Sequence, residues 1–151
     1  METLLAESAA AAVPFSLLFL DIDNFKRVVD TNGHLNGTRT LQEVAALIRQ
    51  CVSAPAFGVS YGGDEFVVVL PGLGKRQALD TAEEMRRTLS QTQFLANRGL
   101  QVHIEASFGV ATYPEDATDR TGLLALADQA MFDVKSRGKN AVGVSDPGTH
   151  R

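Results

Sequence analysis

Two adjacent glycines, Gly62 and Gly63, separate two short β-prone runs, and no other stretch constrains the fold of this chain as strongly. The first run covers residues 56–61, and the second, which is wholly apolar, covers residues 67–70. Paired glycines accept the positive φ angles that a tight turn between strands requires. The pattern therefore predicts a β-hairpin over residues 56–70, with its turn at the glycine pair.

Acidic residues lie at two predicted strand ends. Asp64 and Glu65 follow the glycines directly, beside a backbone without side chains that a metal and a phosphate can approach closely. A second cluster, Asp21-Ile22-Asp23, follows residues 15–20, a nearly all-apolar run typical of a strand covered on both faces. Such strand ends are common positions for sites in α/β proteins. Two carboxylates on separate strand ends predict a divalent-metal site for a triphosphate, and two unrelated solvated turns are the alternative.

Hydrophobic periodicity assigns the remaining elements. The predicted helices cover residues 4–13, 25–32, 37–52, 75–95 and 121–137, and the remaining strands cover residues 15–20, 101–113 and 141–144. In the strand over 101–113, apolar residues alternate with His103, Glu105 and Ser107, which predicts one exposed face. Strands that alternate with helices around one hairpin predict the α/β class, here an α+β sandwich with a mixed central sheet of about five strands flanked by helices.

The size and composition are those of an ordinary globular domain. The chain has 151 residues without a repeat or linker, so we expect a single domain with its core at 15–144, an N-terminal helix within 1–13 and a flexible tail at 145–151. A net charge of −4 without a basic stripe argues against nucleic acid as a partner. The one cysteine, Cys51, allows no internal disulfide, and no apolar run is long enough to span a membrane. We expect a cytoplasmic protein.

Phosphate groups need donors, and two segments offer them. Asn24, Phe25 and Lys26 open a predicted helix whose free N–H groups form an inherent anion site, and Lys26 adds charge. The last long helix ends in the basic segment 135–140, which contains Lys135 and Lys139. A basic helix end taken alone usually only complements the helix dipole, so the second signal depends on its context.

Residues 62–66 read Gly-Gly-Asp-Glu-Phe, and they resemble the signature of the GGDEF family, the diguanylate cyclase domains. Asp21-Ile22-Asp23 resembles the family's first metal motif residue for residue. Residues 135–140 resemble its K-x-x-G-R-N segment, with Lys139 in place of the arginine. The resemblance covers residues 15–144 and implies a palm-like fold related to nucleotidyl cyclases and polymerase palms.

The resemblance also implies a function. Such domains join two GTP molecules into cyclic di-GMP and two pyrophosphates, with one GTP per domain of an antiparallel homodimer and with Mg²⁺ or Mn²⁺. The implied metal ligands are Asp21, the carbonyl of Ile22, and Asp64. Asp64 and Glu65 are the implied catalytic residues, with Glu65 as the general base that activates the attacking 3′-hydroxyl. The implied nucleotide-binding positions are Asn24, Phe25, Lys26, Val29, Thr38, Gly62, Gly63, Lys135 and Lys139.

Departures from the family pattern concentrate where the guanine base is read. Val29 stands in place of an asparagine and Thr38 in place of an aspartate, and Ser60 replaces a usual arginine. Valine neither donates nor accepts a hydrogen bond, and a threonine hydroxyl is a weaker substitute for a carboxylate. Three hypotheses follow: a diguanylate cyclase, a degenerate domain that serves as a nucleotide-binding regulatory or dimerisation module, or a cyclase that accepts another nucleoside triphosphate.

Two family segments have no counterpart in this chain. Residues 53–56 read Ser-Ala-Pro-Ala and lack the R-x-x-D of the family's inhibitory product site. The segment that normally precedes the first strand is also missing. We therefore expect the chain to be a fragment of a longer signalling protein that carries further sensory or output domains.

Overall fold

The computed structural model describes residues 2–11 and 13–144; the predicted tail at 145–151 lies outside the described residues. The elements in chain order are α1 (Glu2–Ala11), β1 (Phe15–Ile22), α2 (Phe25–Asn32), α3 (His34–Cys51), β2 (Phe57–Gly62), β3 (Glu65–Pro71), α4 (Lys75–Gln91), β4 (Ala106–Tyr113), α5 (Arg120–Ser136) and β5 (Val142–Val144). Within the described residues, no helix has both the length and the apolar character that a membrane span needs.

The five strands form one mixed sheet in the order β2-β3-β1-β4-β5. Strand β1 lies at the centre, antiparallel to both β3 and β4, and only β4 and β5 run parallel. The hairpin predicted around the glycine pair is formed by β2 and β3. The predicted α+β sandwich with a mixed sheet of about five strands is therefore confirmed.

Side chains of the central strand alternate between two apolar layers, which is why its sequence is nearly all apolar before Asp21. Leu18 and Leu20 contact the layer formed with α2, α3 and α4. Leu17 and Phe19 contact the layer formed with α1 and α5. The sheet is therefore covered on both faces, and the polar end of β1 emerges at one edge of the sandwich.

Helix α5 lies directly on the sheet at Gly109. A Cβ atom added there would lie 2.5 Å from the backbone nitrogen of Met131 and would also clash with the carbonyl oxygen of Ala127. The missing side chain thus allows backbone-to-backbone packing. This close approach fixes the position of the C-terminal end of α5 relative to the end of β1.

Several predicted boundaries differ from the observed ones. Strand β4 begins at Ala106 instead of residue 101, because the preceding stretch pairs only through one bridge between Val102 and Phe94. Ser107, which was predicted to face outward, is fully buried, so the expected exposed face of this strand is wrong. Helix α4 ends at Gln91 instead of residue 95, since Thr92 adopts an extended conformation, and Leu95 lies beyond the helix in a left-handed conformation.

The other helix boundaries shift by a few residues. Helix α1 covers Glu2–Ala11 where residues 4–13 were predicted, and α3 begins at His34 where residue 37 was predicted. Helices α2 and α5 lie within one residue of their predicted ranges. The element order is unaffected.

Candidate functional site

Asp21 lies at the polar end of β1, between two neighbouring strands. Its backbone partner on β3 is Glu65, and its partner on β4 is Ser107. The N–H of Ile22 donates to the carbonyl oxygen of Asp64 at 3.2 Å, which places the hairpin tip beside the end of β1. The two acidic clusters that the sequence placed on separate strands therefore meet at one edge of the sheet.

The carboxyl group of Asp21 is crowded by other acids. Burial, a hydrogen bond with the Asp64 carboxyl and the charges of Asp64 and Glu65 raise the pKa of Asp21 to about 7, against the lowering effect of Lys135. Among the described residues, no hydrogen-bond partner contacts its buried Oδ1 atom. Lys135 Nζ lies 3.5 Å from the other oxygen, Oδ2. A buried carboxylate oxygen without a partner destabilises the folded state, and a bound cation would offset this cost.

Glu65 is the second perturbed acid of the site. Burial raises its pKa, the charges of Asp128 and Asp64 raise it further, and Lys135 lowers it. The side chain is only partly buried and lies at the start of β3, next to the glycine turn. A carboxylate whose pKa is shifted towards neutrality is better suited to accept a proton than an ordinary one.

The residues present fit a divalent cation. In the part of the chain that the structure describes, no three His, Cys, Asp or Glu side chains form a closed metal cage. The unpartnered Oδ1 of Asp21 and the crowding of Asp21 against Asp64 nevertheless provide two carboxylates for a cation, although Lys135 pairs with the other oxygen of Asp21. Mg²⁺ is usually held in this way, by one or two carboxylates with water and phosphate oxygens in the remaining positions.

Asp23, the second acid of the Asp21-Ile22-Asp23 cluster, has a different environment. Its Oδ1 accepts hydrogen bonds from Ser107 Oγ at 2.7 Å and from Lys135 Nζ at 2.9 Å. Its Oδ2 accepts the backbone N–H of Asn140 at 2.9 Å. The side chain is 1% exposed, against 19% for Asp21. Asp23 is therefore buried and fully partnered.

The predicted phosphate donors surround the same strand end. Asn24 caps α2 in a left-handed conformation, and its Oδ1 accepts a hydrogen bond from Lys139 Nζ at 2.7 Å. Phe25 is half-buried at the start of this helix, and Lys26 is exposed. Lys135, at the end of α5, contacts both acids of β1. The helix start and the two lysines thus lie on one side of the acidic cluster.

The predicted base-reading positions lie further along α2 and α3. Val29 packs against Gly37, where an added Cβ would lie 2.9 Å from Val29 Cγ2 and 3.5 Å from Phe25 Cζ. Val29 is half-buried, and Thr38 is exposed at the surface of α3. Gly62 and Gly63 are exposed at the hairpin tip, with Gly63 at a φ of 50°. The side chain of Ser60 lies outside the described part of the structure.

Three residues of this site had no role assigned from the sequence: Asp23, Ser107 and Asn140. Each makes a hydrogen bond that joins distant segments, and sequence patterns do not report such pairings. The one available signal for Asp23 was its place two residues after Asp21, which gives both side chains the same face of an extended strand. For Ser107 the alternating pattern pointed to the wrong environment.

The mixed sheet with an acidic hairpin tip beside its central strand defines an α+β domain with an acid-lined edge. The family model described as "Diguanylate cyclase, GGDEF domain" matches residues 1–141. The chain therefore belongs to the GGDEF family of diguanylate cyclase domains.

Curated relatives carry the same description. Diguanylate cyclase A of Treponema denticola is 33% identical over 130 residues, which are 86% of this chain and 35% of that protein. Diguanylate cyclase DosC of Escherichia coli K12 is 33% identical over 138 residues, 91% of this chain and 30% of that protein. The chain thus spans about a third of the length of these relatives.

Solved structures of the family share the fold. The GGDEF domain of YfiN (TpbB) from Pseudomonas aeruginosa has a TM-score of 0.92 at 28% identity, and the match covers 97% of this chain and 85% of that one. The active GGEEF domain of a diguanylate cyclase from Vibrio cholerae has a TM-score of 0.87 at 28% identity, with 95% and 90% coverage. The DgcB GGDEF domain from Caulobacter crescentus, in complex with c-di-GMP, has a TM-score of 0.85 at 29% identity, with 95% and 84% coverage.

Proposed function

We propose that this chain is one GGDEF domain that binds a nucleoside triphosphate and condenses two GTP molecules into cyclic di-GMP. The observation that carries the proposal is the convergence of Asp21, Asp64 and Glu65 at one edge of the sheet. The phosphate donors of α2 and α5 lie beside these acids.

The proposed cofactor is Mg²⁺ or Mn²⁺, held by Asp21, the carbonyl of Ile22, and Asp64. When bound, the metal neutralises charge on the triphosphate. Asp21 supports this role because its Oδ1 is buried without a donor. The N–H groups at the start of α2, Lys135 and Lys139 hold the remaining phosphate charge.

Glu65 is the proposed general base. It accepts the proton of the ribose 3′-hydroxyl as that oxygen attacks the α-phosphorus of the second GTP. The bond between the α-phosphorus and the bridging oxygen breaks, and pyrophosphate leaves with the bonding electrons. Two such transfers close the ring of the product. Because each domain holds one GTP, the reaction takes place between two copies in an antiparallel homodimer.

A degenerate, nucleotide-binding regulatory or dimerisation module is the second candidate. The packing of Val29 on Gly37 favours it, since this contact leaves an apolar wall where a guanine edge needs an acceptor. Both candidates require the metal and phosphate groups. They differ in turnover.

Turnover separates the two candidates. The purified chain is incubated with Mg²⁺ and GTP, and pyrophosphate and cyclic di-GMP are quantified, with Glu65→Gln as the matched control. Formation of both products by the wild type, and their loss in the control, supports the cyclase. Binding of Mg²⁺–GTP without either product supports the module. Absence of metal-dependent nucleotide binding contradicts both.

A further inference from the structure

We propose that Asp23 is not a metal ligand but a positioning residue. It holds in place Lys135 and Lys139, the two lysines that are proposed to bind the phosphates. It holds Lys135 directly, and it holds Lys139 through the turn that contains Asn140. The inference rests on the proposed function, because it assigns a role within the same triphosphate site.

The hydrogen-bond inventory of Asp23 separates it from Asp21. Its two oxygens accept three donors: Ser107 Oγ, Lys135 Nζ and the backbone N–H of Asn140. With 1% of the side chain exposed, no approach remains for a hydrated cation. Asp21 shows the opposite pattern, because its buried Oδ1 has no hydrogen-bond donor in the described part of the chain. In this proposal the two acids of the cluster have different roles: Asp21 binds the cation, and Asp23 binds donor groups of the protein.

The turn that Asp23 holds has an uncommon backbone. Gly138, Lys139 and Asn140 have φ angles of 126°, 66° and 49°, and two of these residues carry a side chain. Non-glycine residues adopt this region at a cost and keep it only when their surroundings enforce it. The bond from the Asn140 N–H to Asp23 is one such constraint, and the Asn140 side chain adds bonds to Arg86 and Glu105.

The position of Lys139 follows from that turn. Its ammonium group lies 2.7 Å from Asn24 Oδ1, at the start of α2. Lys139 is exposed, so its own packing cannot hold it there. Lys135 has an acceptor in Asp23 at 2.9 Å. Because a positively charged side chain is preorganised only when its anchor is fixed, one buried carboxylate sets the geometry of both cations.

The test variant is Asp23→Asn. An asparagine has one acceptor oxygen, so whichever way the amide is turned, its N–H₂ group faces a donor, either the Asn140 N–H or the Lys135 and Ser107 pair. The matched control is Asp116→Asn. Asp116 is also 1% exposed, accepts a backbone N–H from Thr112 and pairs with Lys75, but it lies near the opposite end of β1. Both variants lose a buried charge, but only Asp23→Asn changes a residue that contacts Lys135.

Two ligands separate positioning from general loss of structure. Binding of inorganic tripolyphosphate with Mg²⁺ reports on Lys135 and Lys139. Binding of guanosine reports on the proposed base-reading positions, Val29 and Thr38. We expect Asp23→Asn to weaken tripolyphosphate binding at least tenfold and to leave guanosine binding within about twofold, and Asp116→Asn to change neither. Unchanged tripolyphosphate affinity in Asp23→Asn overturns the inference, as does an equal loss in the control.

Amide hydrogen exchange gives a readout that is independent of nucleotide. In the wild type the Asn140 N–H should exchange at least a hundredfold more slowly than in an unstructured peptide, and Asp23→Asn should remove most of that protection. Rapid exchange of Asn140 in the wild type overturns the inference even if the variant does not fold. A wild type that binds tripolyphosphate but forms no cyclic di-GMP contradicts the cyclase function alone and leaves the inference standing.

Discussion

Asp21 of β1 and Glu65 of β3 are direct partners across an antiparallel pair, so their side chains project from the same face of the sheet. Like charges placed opposite each other in this way destabilise a sheet. The fold accepts this arrangement where Lys135 approaches from α5, with its Nζ 3.5 Å from Asp21 Oδ2. Lys135 therefore neutralises only part of the negative charge of Asp21, Asp64 and Glu65. The remaining negative charge can attract a cation.

The metal-free protein should become less stable as the pH rises from about 4 to about 7. The folded-state pKa of Asp21 is raised to about 7 from its ordinary value of 3.8, so in this window the folded state binds more protons than the unfolded state. The raised pKa of Glu65 acts in the same direction. Thermal denaturation in EDTA should show that the gain in melting temperature of Asp21→Asn over the wild type is larger by several degrees at pH 8 than at pH 5. A difference that is the same at both pH values would contradict this assignment.

Removal of the Asp64 charge should weaken metal-dependent nucleotide binding. We expect Asp64→Asn to lower the affinity for Mg²⁺–GTP at least tenfold, or about 1.4 kcal/mol, because one of two carboxylates is lost from the cation site. Isothermal titration calorimetry measures the effect. Asp80→Asn, at an exposed position of α4, is the control and should bind as the wild type does. Equal affinities for Asp64→Asn and the wild type would exclude Asp64 as a ligand.

Gly109→Ala should damage both stability and phosphate binding. The added methyl group would meet the backbone of α5 at Met131, which cannot move without displacing the helix. Overpacking of this kind costs about 1–3 kcal/mol, and the shift of α5 carries Lys135 with it. Chemical denaturation and tripolyphosphate titration report the two effects. Gly74→Ala is the control, since an added Cβ there meets only Pro14 Cγ at 3.9 Å; a stability loss as large as that of Gly109→Ala would refute the packing argument.

The domain should discriminate poorly between GTP and ATP. Val29 lies against Gly37 and Thr38 is exposed, so the N1–H and N2–H₂ donors of guanine find at most one weak acceptor. We expect the two affinities to differ by less than about tenfold, or 1.4 kcal/mol. The double variant Val29→Asn with Thr38→Asp should sharpen the preference for GTP and raise turnover. A hundredfold preference in the wild type would mean that other residues read the base.

Cyclic di-GMP should not inhibit this domain through residues 53–56. A cavity of about 260 Å³ does lie there, lined by Cys51, Val52, Ser53, Pro55, Ala56, Leu70, Pro71, Leu73 and Thr81. No charged side chain belongs to that lining, whereas a phosphate and a guanine need an arginine fork and a carboxylate. Micromolar binding of cyclic di-GMP that is lost when Ser53 and Ala56 are both substituted would contradict this prediction.

Local chemistry made most of the fold predictable. The glycine pair fixed the hairpin, and the apolar run before Asp21 fixed a strand buried on both faces, because each property depends only on neighbouring residues. Ser107 shows the limit of this reasoning. Its alternation with apolar residues predicts exposure, but both faces of β4 are covered, and the buried Ser107 donates a hydrogen bond to Asp23, 84 residues away.

The acidic residues of the candidate site could be predicted from the sequence, but the hydrogen bonds that join them to the rest of the protein could not. Asp21 and Asp64 were placed together by the rule that sites gather at strand ends. The difference between Asp21 and Asp23 could not be foreseen, because two acids two residues apart look alike until their partners are known. Leu95 illustrates the same limit for the fold. The apolar periodicity of α4 continues to Leu95, but the helix ends at Gln91 and Leu95 is buried outside it.

The groups gathered on Asp23 come from widely separated parts of the chain. Lys135 is 112 residues away, and Asn140 is 117 residues away. Contacts of such long separation carry an entropic cost, because the intervening chain must be closed into a loop. During synthesis the acids of β1 leave the ribosome long before the lysines of the last helix and turn. A nascent chain that ends before residue 135 therefore carries the acids of the site and the start of α2 without Lys135 and Lys139, and we expect the proposed phosphate site to be complete only when α5 has docked.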